Sequence, residues 1–214
     1  MWREISRAFG EVARDYEAWY QGNPLFASEL RALLALGPIP SPSLEIGVGT
    51  GVFAKALGFT HGLDPSLDML LLARQKGLLC VCGVGERLPF KDEIFEACGM
   101  FFTLCFLSRP EEALEECYRV LKPEGKLFLG FVPRESPWGQ YYEEKKRAGH
   151  KLYRFARFRE GQEVLNLLKE KGFRLVKGSS TLFQPPGLKR PLREGPREGF
   201  FAEAGFWALV AIKD

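Results

Sequence analysis

Between residues 5 and 36 apolar side chains recur at helical spacing: Phe9, Val12, Ala13, Tyr16 and Trp19 share one side, then Leu30, Leu33 and Leu34 mark a second helix. Gly37 and Pro38 end it. From there the pattern alternates. Leu44–Ile46 reads as a short strand and Phe53–Leu57 as a helix entered through glycines; Thr60–Leu63 and Ser66–Gln75 repeat the unit. Leu78–Cys82 reads as a third strand, and Ile94–Phe102 is an apolar run of the kind buried on both faces of a sheet, which predicts a central strand. Ser108, Pro110 and Glu111 have the spacing of a capping box with proline in the first turn, ahead of the stripe Ala113, Leu114, Cys117, Tyr118 and Leu121. Lys122-Pro123-Glu124-Gly125 should stop that helix and turn the chain into a strand over Lys126–Val132. Residues 133–159 show no clear period; Val164, Leu165, Leu167 and Leu168 then mark a helix capped at Gly172, and Phe173–Phe183 and Phe200–Ile212 read as closing strands. A Pro-, Gly- and Arg-rich loop, Gln184–Gly199, separates them.

Strand-helix alternation of this kind predicts an α/β protein with a doubly wound, Rossmann-like parallel sheet covered on both faces. With 214 residues, 46% of them hydrophobic, the chain is expected to form one domain: N-terminal helices to residue 40, a cofactor-binding core over 41–132, a cap insertion over 133–159 and a C-terminal helix with strands over 160–214. The formal charge of +3 gives no whole-molecule attraction for nucleic acid or anionic membrane. No stretch reaches the about 20 apolar residues of a membrane span, and the start of the chain lacks a signal-peptide pattern, so a cytoplasmic location is expected. Cys80, Cys82, Cys98, Cys105 and Cys117 have no metal-ligand spacing and read as reduced thiols.

The chemistry concentrates where the first strand ends. In Leu44-Glu45-Ile46-Gly47-Val48-Gly49-Thr50-Gly51 a strand runs into glycines and a helix begins at once. Backbone there can approach a ligand without obstruction from Cβ atoms, and free helix N–H groups face polar ligand atoms. Gly62-Leu63-Asp64-Pro65-Ser66 places a carboxylate at the end of the next strand, where it can accept both hydroxyls of a ribose. Read alone, Asp64 could equally be a helix-start residue.

These segments resemble the class I S-adenosylmethionine-dependent methyltransferases, in particular the ubiquinone and menaquinone biosynthesis branch. Gly83-Val84-Gly85-Glu86-Arg87-Leu88-Pro89-Phe90 is similar to that family's adenine-side loop and Arg119-Val120-Leu121-Lys122-Pro123-Glu124-Gly125-Lys126 to the segment before its fifth strand. The resemblance implies a seven-stranded sheet with an antiparallel last strand and S-adenosyl-L-methionine as cofactor. Glu45 would meet its methionine end, Asp64 its ribose, and Gly47, Gly49 and Gly51 would allow close backbone approach. Pro65, Met69, Gly85, Glu86 and Thr103 complete the implied cofactor shell, with Tyr16, beside Phe9 and Trp19, on an N-terminal helix that closes over it. Two positions depart from the family: Val84 stands where an acid usually meets the adenine, and Glu96 where the fourth strand usually carries Asp.

Methyl transfer from a sulfonium is an in-line displacement that needs positioning and water exclusion more than a metal or a covalent residue. No metal site is expected, and the catalytic residue is open, with His150 as a candidate base. Trp19, Trp138, Tyr141, Tyr142 and Arg154 are candidate acceptor contacts, under a roof formed by the N-terminal helix, the insertion and the 184–199 loop. The expected acceptor is a small molecule. Seven Lys or Arg between Glu143 and Glu160, interleaved with aromatics, leave nucleic acid as the lesser alternative. Two other readings stand beside the enzyme: a non-catalytic S-adenosylmethionine-binding protein or partner subunit, and a nicotinamide-dependent oxidoreductase.

Overall fold

The structure is a computed structural model that describes residues 2–214. Three helices lead: α1 (Trp2–Gly10), α2 (Ala13–Tyr20) and α3 (Pro24–Leu34). Then β1 (Ser43–Ile46), α4 (Val52–Leu57), β2 (His61–Asp64), α5 (Leu67–Gln75), β3 (Leu79–Cys82) and β4 (Phe95–Phe101) follow. The second half runs α6 (Pro110–Val120), β5 (Leu121–Phe131), α7 (Pro137–Arg147), α8 (Gly161–Glu170), β6 (Phe173–Thr181), β7 (Arg197–Glu198) and β8 (Phe206–Lys213). All strands join one sheet in the order β3-β2-β1-β4-β5-β8-β6-β7. The first five are parallel, and β8 runs antiparallel between β5 and β6. The Rossmann-like plan with an antiparallel last strand is therefore present, with eight strands instead of seven. The extra one is β7, a two-residue edge pair against Ser179 and Ser180 that a loop-like composition concealed.

Strict alternation builds the core. On β8, Trp207, Leu209 and Ala211 face the layer of α6 and α8, while Phe206, Ala208 and Val210 face the layer that holds α3 and α4; Leu127 and Leu129 against Phe128 do the same on β5. Strands buried on both faces need apolar residues at nearly every position, which is why β4 reads as an apolar run. Because the chain winds outward from β1 to β3 and then returns to β4, the order reverses between β1 and β4. The crevice outside the carboxyl ends of those two strands is where such a sheet takes its ligand.

Local chemistry corrects several sequence expectations. The capping box at Ser108 does not form: α6 starts at Pro110 with Arg109 as N-cap and no side-chain cap bond. Glu86 instead accepts the N–H groups of Ser108 and Arg109, at 2.9 and 3.4 Å. The expected stop at Lys122–Gly125 is already part of β5, with Leu121 paired to Phe95 ahead of a register shift. Residues 133–159 are less irregular than expected, since Ser136 accepts the Gly139 N–H at 3.0 Å and Pro137 opens α7, an eleven-residue helix. The closing strand begins at Phe206, later than Phe200. Gly172, at φ +83°, does end α8.

Trp138 also departs from expectation. It is 4% exposed, donates from Nε1 to the Gln184 carbonyl at 2.8 Å and lies flat on Gly205, where any Cβ would collide with its ring. It is a core residue that pins α7 to the chain entering β8. Trp138→Ala should lower the free energy of unfolding by about 3–5 kcal/mol, read from the denaturant midpoint. A change under about 1 kcal/mol would show that α7 does not depend on this anchor.

Candidate functional site

Two cavities open at the β1–β4 crevice. The first, of ≈ 110 Å³, is walled by the glycine turn after β1, the end of β2, the loop after β3 and the inner face of α1. Gly47, at φ +70°, turns the chain out of β1, and no Cβ would fit there because the Thr103 side chain occupies the space. Thr103 is fixed in turn: its hydroxyl donates to the Ile46 carbonyl at 3.1 Å. Gly49, at φ +52°, presents bare backbone to the cavity, with the Tyr16 ring the nearest contact to a notional Cβ at 3.9 Å. Left-handed φ values at successive positions are tolerated by glycine alone without strain.

Asp64 ties this turn to the second strand. Its carboxylate accepts the Gly49 N–H at 2.9 Å and the Ser66 N–H at 2.8 Å, while Ser66 caps α5. Burial pushes its pKa up to about 6, against the two N–H bonds, which favour the charged form. Glu45 is 2% exposed on β1 and takes a bond from the Ala54 N–H, but its Oε2 has no partner. Burial, and then the Asp64 charge, hold it well above the ordinary carboxylate range. An unpartnered buried oxygen costs about 1–3 kcal/mol, which marks a place that a donor would fill.

Of the residues singled out for the cofactor, Tyr16, Gly47, Gly49, Asp64, Pro65, Met69, Gly85, Glu86 and Thr103 line this first cavity. Glu45 lies behind its wall, not on it. Gly51, the N-cap of α4, faces Ala73 and Leu78, so its role is helix packing. Val84 lines the cavity beside Gly85 and Leu107. Glu96 pairs with Lys122 at 2.6 Å on the surface.

The second cavity, of ≈ 450 Å³, adjoins the first across shared walls at Phe9, Tyr16, Phe102 and Phe106. Its roof is α2 together with the insertion, as the sequence suggests. The 184–199 loop takes no part. Glu194 accepts the N–H groups of Phe183 and Gln184, and its own N–H donates to Ser28 Oγ at 2.8 Å, so that loop lies along α3 instead. Trp19, Tyr142 and His150 line the cavity. Tyr141 and Arg154 do not: Tyr141 sits under Lys145 and beside Gly187, and Arg154 covers the Phe155 ring, exposed to water. His150 is at the exposed mouth, and its Nδ1 accepts the N–H groups of Leu152 and Tyr153, both at 3.3 Å.

Sequence reasoning passed over the groups deepest in this chamber. Tyr20 donates to the Tyr16 hydroxyl at 2.7 Å. Burial keeps the Tyr16, Tyr20 and Tyr142 hydroxyls above the usual phenol range and pushes Tyr153 up to about 12, so all four are neutral. Glu29, on α3, is 4% exposed, lines the cavity and has an unpartnered Oε2; burial raises its pKa to about 8. In sequence it is one acid on an amphipathic helix, and nothing marks it. Phe102 holds a left-handed φ of +58°, uncommon for a bulky residue, at the junction of the two cavities. The basic segment, by contrast, is largely engaged: Lys146 pairs with Glu143, Lys151 with Glu11 and Arg159 with Glu111.

Comparison with known proteins assigns this architecture. Residues 44–129 match a methyltransferase domain family. A crystal structure of a SAM-dependent methyltransferase from Thermotoga maritima, described as a possible histamine N-methyltransferase, is 37% identical and superposes with a TM-score of 0.90 over 98% of this chain and 100% of that one. An uncharacterized protein of Mycobacterium tuberculosis is 44% identical over 211 residues, 97% of this chain and 74% of that protein. A demethylmenaquinone methyltransferase of Streptomyces griseus is 32% identical over 136 residues, 59% of each chain. These findings set aside the nicotinamide-dependent reading. The chain belongs to the class I S-adenosylmethionine-dependent methyltransferases and is an enzyme of that family.

Proposed function

We propose that this methyltransferase holds its cofactor in the first cavity and methylates a small molecule seated in the second. The observation that carries this reading is the second cavity itself, whose ≈ 450 Å³ falls in the about 300–1,000 Å³ range of small-ligand sites and adjoins the first through a common aromatic wall. A macromolecule would need an open approach, and here α2 and the insertion close it.

The first cavity has polar groups that suit S-adenosylmethionine. Asp64 is placed to accept ribose hydroxyls, the unpartnered Oε2 of Glu45 behind the wall supports a role toward the methionine ammonium, and Gly49 presents backbone without a Cβ. Val84 and Leu107 give an apolar surface for adenine, with the Gly85 and Glu86 backbone beside it. The cofactor supplies an electrophilic methyl on a sulfonium, and the chain has to align the acceptor with it and exclude water. Phe9, Phe102 and Phe106 supply dry walls between the chambers, and the neutral hydroxyls of Tyr16, Tyr20, Tyr142 and Tyr153 offer hydrogen bonds that orient an acceptor.

Calorimetric titration tests the cofactor site. S-adenosylhomocysteine should bind, NAD(H) and NADP(H) should not, and Asp64→Ala should weaken binding by about 1–3 kcal/mol. Unchanged affinity in that variant would remove Asp64 from the site. Because ribose hydroxyls need the carboxylate form, affinity should fall as pH drops through about 6, by up to about tenfold per unit, and Asp64→Asn should abolish that dependence.

Adenine recognition gives a second test. If the surface at Val84 serves only as a neutral wall, Val84→Asp should keep S-adenosylhomocysteine affinity within about tenfold of wild type or tighten it. A collapse of binding with unfolding midpoint unchanged would show that the apolar surface itself holds the base.

A further inference from the structure

Glu29 is the buried acid on the wall of the second cavity. It lies on α3, and its Oε2 has no hydrogen-bond partner. Among the described residues no cation pairs with it. The groups facing it are the neutral hydroxyls of Tyr16 and Tyr20 from α2, Tyr142 from α7 and Tyr153 from the short turn Tyr153–Phe155. The cations on the cavity wall are committed elsewhere. Lys145 lies 4.7 Å from the centre of the Tyr141 ring, and Lys151 pairs with Glu11 at 3.5 Å. His150 and Lys151, like Asp15 on the opposite side, are exposed at the mouth.

A carboxylate taken out of water without a partner is costly, so the group stays neutral until a counter-charge or a full set of donors reaches it. The protein supplies neither. We infer that the ligand does: the acceptor carries a protonated amine, which enters the tyrosine-lined chamber and pairs with Glu29. The aromatic faces around the chamber suit the same cation, since ring quadrupoles attract ammonium groups. A neutral acceptor of equal shape would leave the Glu29 oxygen unmet. The inference rests on the second cavity being the acceptor chamber and adds the class of molecule that fills it.

Burial holds the Glu29 carboxyl up to about 8, so at pH 7 the empty chamber holds it mostly as the acid. Pairing with an ammonium requires the carboxylate, and binding at that pH therefore releases the Glu29 proton. The matching alcohol releases no proton, and a site that merely strips the ammonium proton by its apolar walls keeps the release in Glu29→Gln, whereas pairing with Glu29 loses it.

The test is a calorimetric titration of the protein saturated with S-adenosylhomocysteine, using propylamine, benzylamine, 2-phenylethylamine and tryptamine, each beside the alcohol of the same skeleton. At least one amine should bind about tenfold or more tighter than its alcohol, and Glu29→Gln should erase that preference. S-adenosylhomocysteine affinity should stay at the wild-type value, which also reports that the variant is folded. In wild type at pH 7, the binding enthalpy of the amine should vary with the ionisation enthalpy of the buffer, with close to one proton released; this measurement stands even if the variant does not fold. Alcohols that match their amines, a preference that survives Glu29→Gln, or no amine binding to the saturated protein would each overturn the inference. Failure of S-adenosylhomocysteine to bind wild type would instead overturn the cofactor assignment on which it stands.

Discussion

The Asp64 carboxylate is the constraint on which the site depends. One oxygen takes the Gly49 N–H and the other the Ser66 N–H, so a single side chain fixes the glycine turn after β1 and the entry into α5. Neither turn has regular secondary structure to hold it, and their orphan N–H groups would otherwise need water. Burying the carboxylate raises the cost of its charge, and the two N–H bonds recover part of that cost without closing the side chain off. The result is a polar edge that is rigid before any ligand arrives, as binding with little reorganisation requires. Thr103 performs the matching service from β4, since its hydroxyl satisfies the Ile46 carbonyl and its bulk is what makes glycine obligatory at position 47.

The cofactor half of the molecule was legible in the sequence because its physics is local. A glycine is required where φ is positive and a neighbour crowds the Cβ, and an acid is required one strand later; both requirements act over a few residues and leave a motif. The central strands were legible for a similar reason, as burial on both faces demands apolar residues at nearly every position. The roof of the second cavity, from the N-terminal helix and the insertion, was legible as well, but its deepest polar groups were not: Glu29 and Tyr20 come from separate elements, and no spacing links them. Trp138 shows the converse error: an aromatic in an insertion looks like a binding residue, yet Gly205, far along the chain, makes the flat surface it packs on. The seven Lys and Arg of 143–160 misled less, since the acids that neutralise several of them, such as Glu11 and Glu111, also lie elsewhere in the chain.

Position along the sheet also explains why the insertion and the N-terminal helices are where they are. The reversal of strand order between β1 and β4 leaves a crevice that the regular strand-helix units cannot cover, because their helices lie on the two faces of the sheet and not over its end. Only segments outside that repeat can close it. Here α1 and α2 cross the crevice from one side and α7 with its following turn from the other, and Tyr142 meets Tyr153 at 4.6 Å between ring centres. The closure is aromatic, so it seals against water while keeping a few hydroxyls for recognition.

The two chambers meet at an aromatic wall, and Phe102 is the part of that wall fixed by the end of β4. At the end of β4 its N–H pairs with the Gly130 carbonyl at 2.8 Å and its ring stacks on Phe206 at 5.0 Å, so the residue is gripped from the strand side. The next residue, Thr103, must point back at Gly47. A chain leaving the strand in extended form could not meet both demands, and the left-handed φ of Phe102 is the turn that reconciles them. Such a conformation costs on the order of 1–3 kcal/mol in a bulky residue and persists only where packing over-determines it. The strain therefore sits at a point that touches both cavities and the core together. It ties the wall between the two cavities to the geometry of β4, whose backbone is held on both sides by β1 and β5.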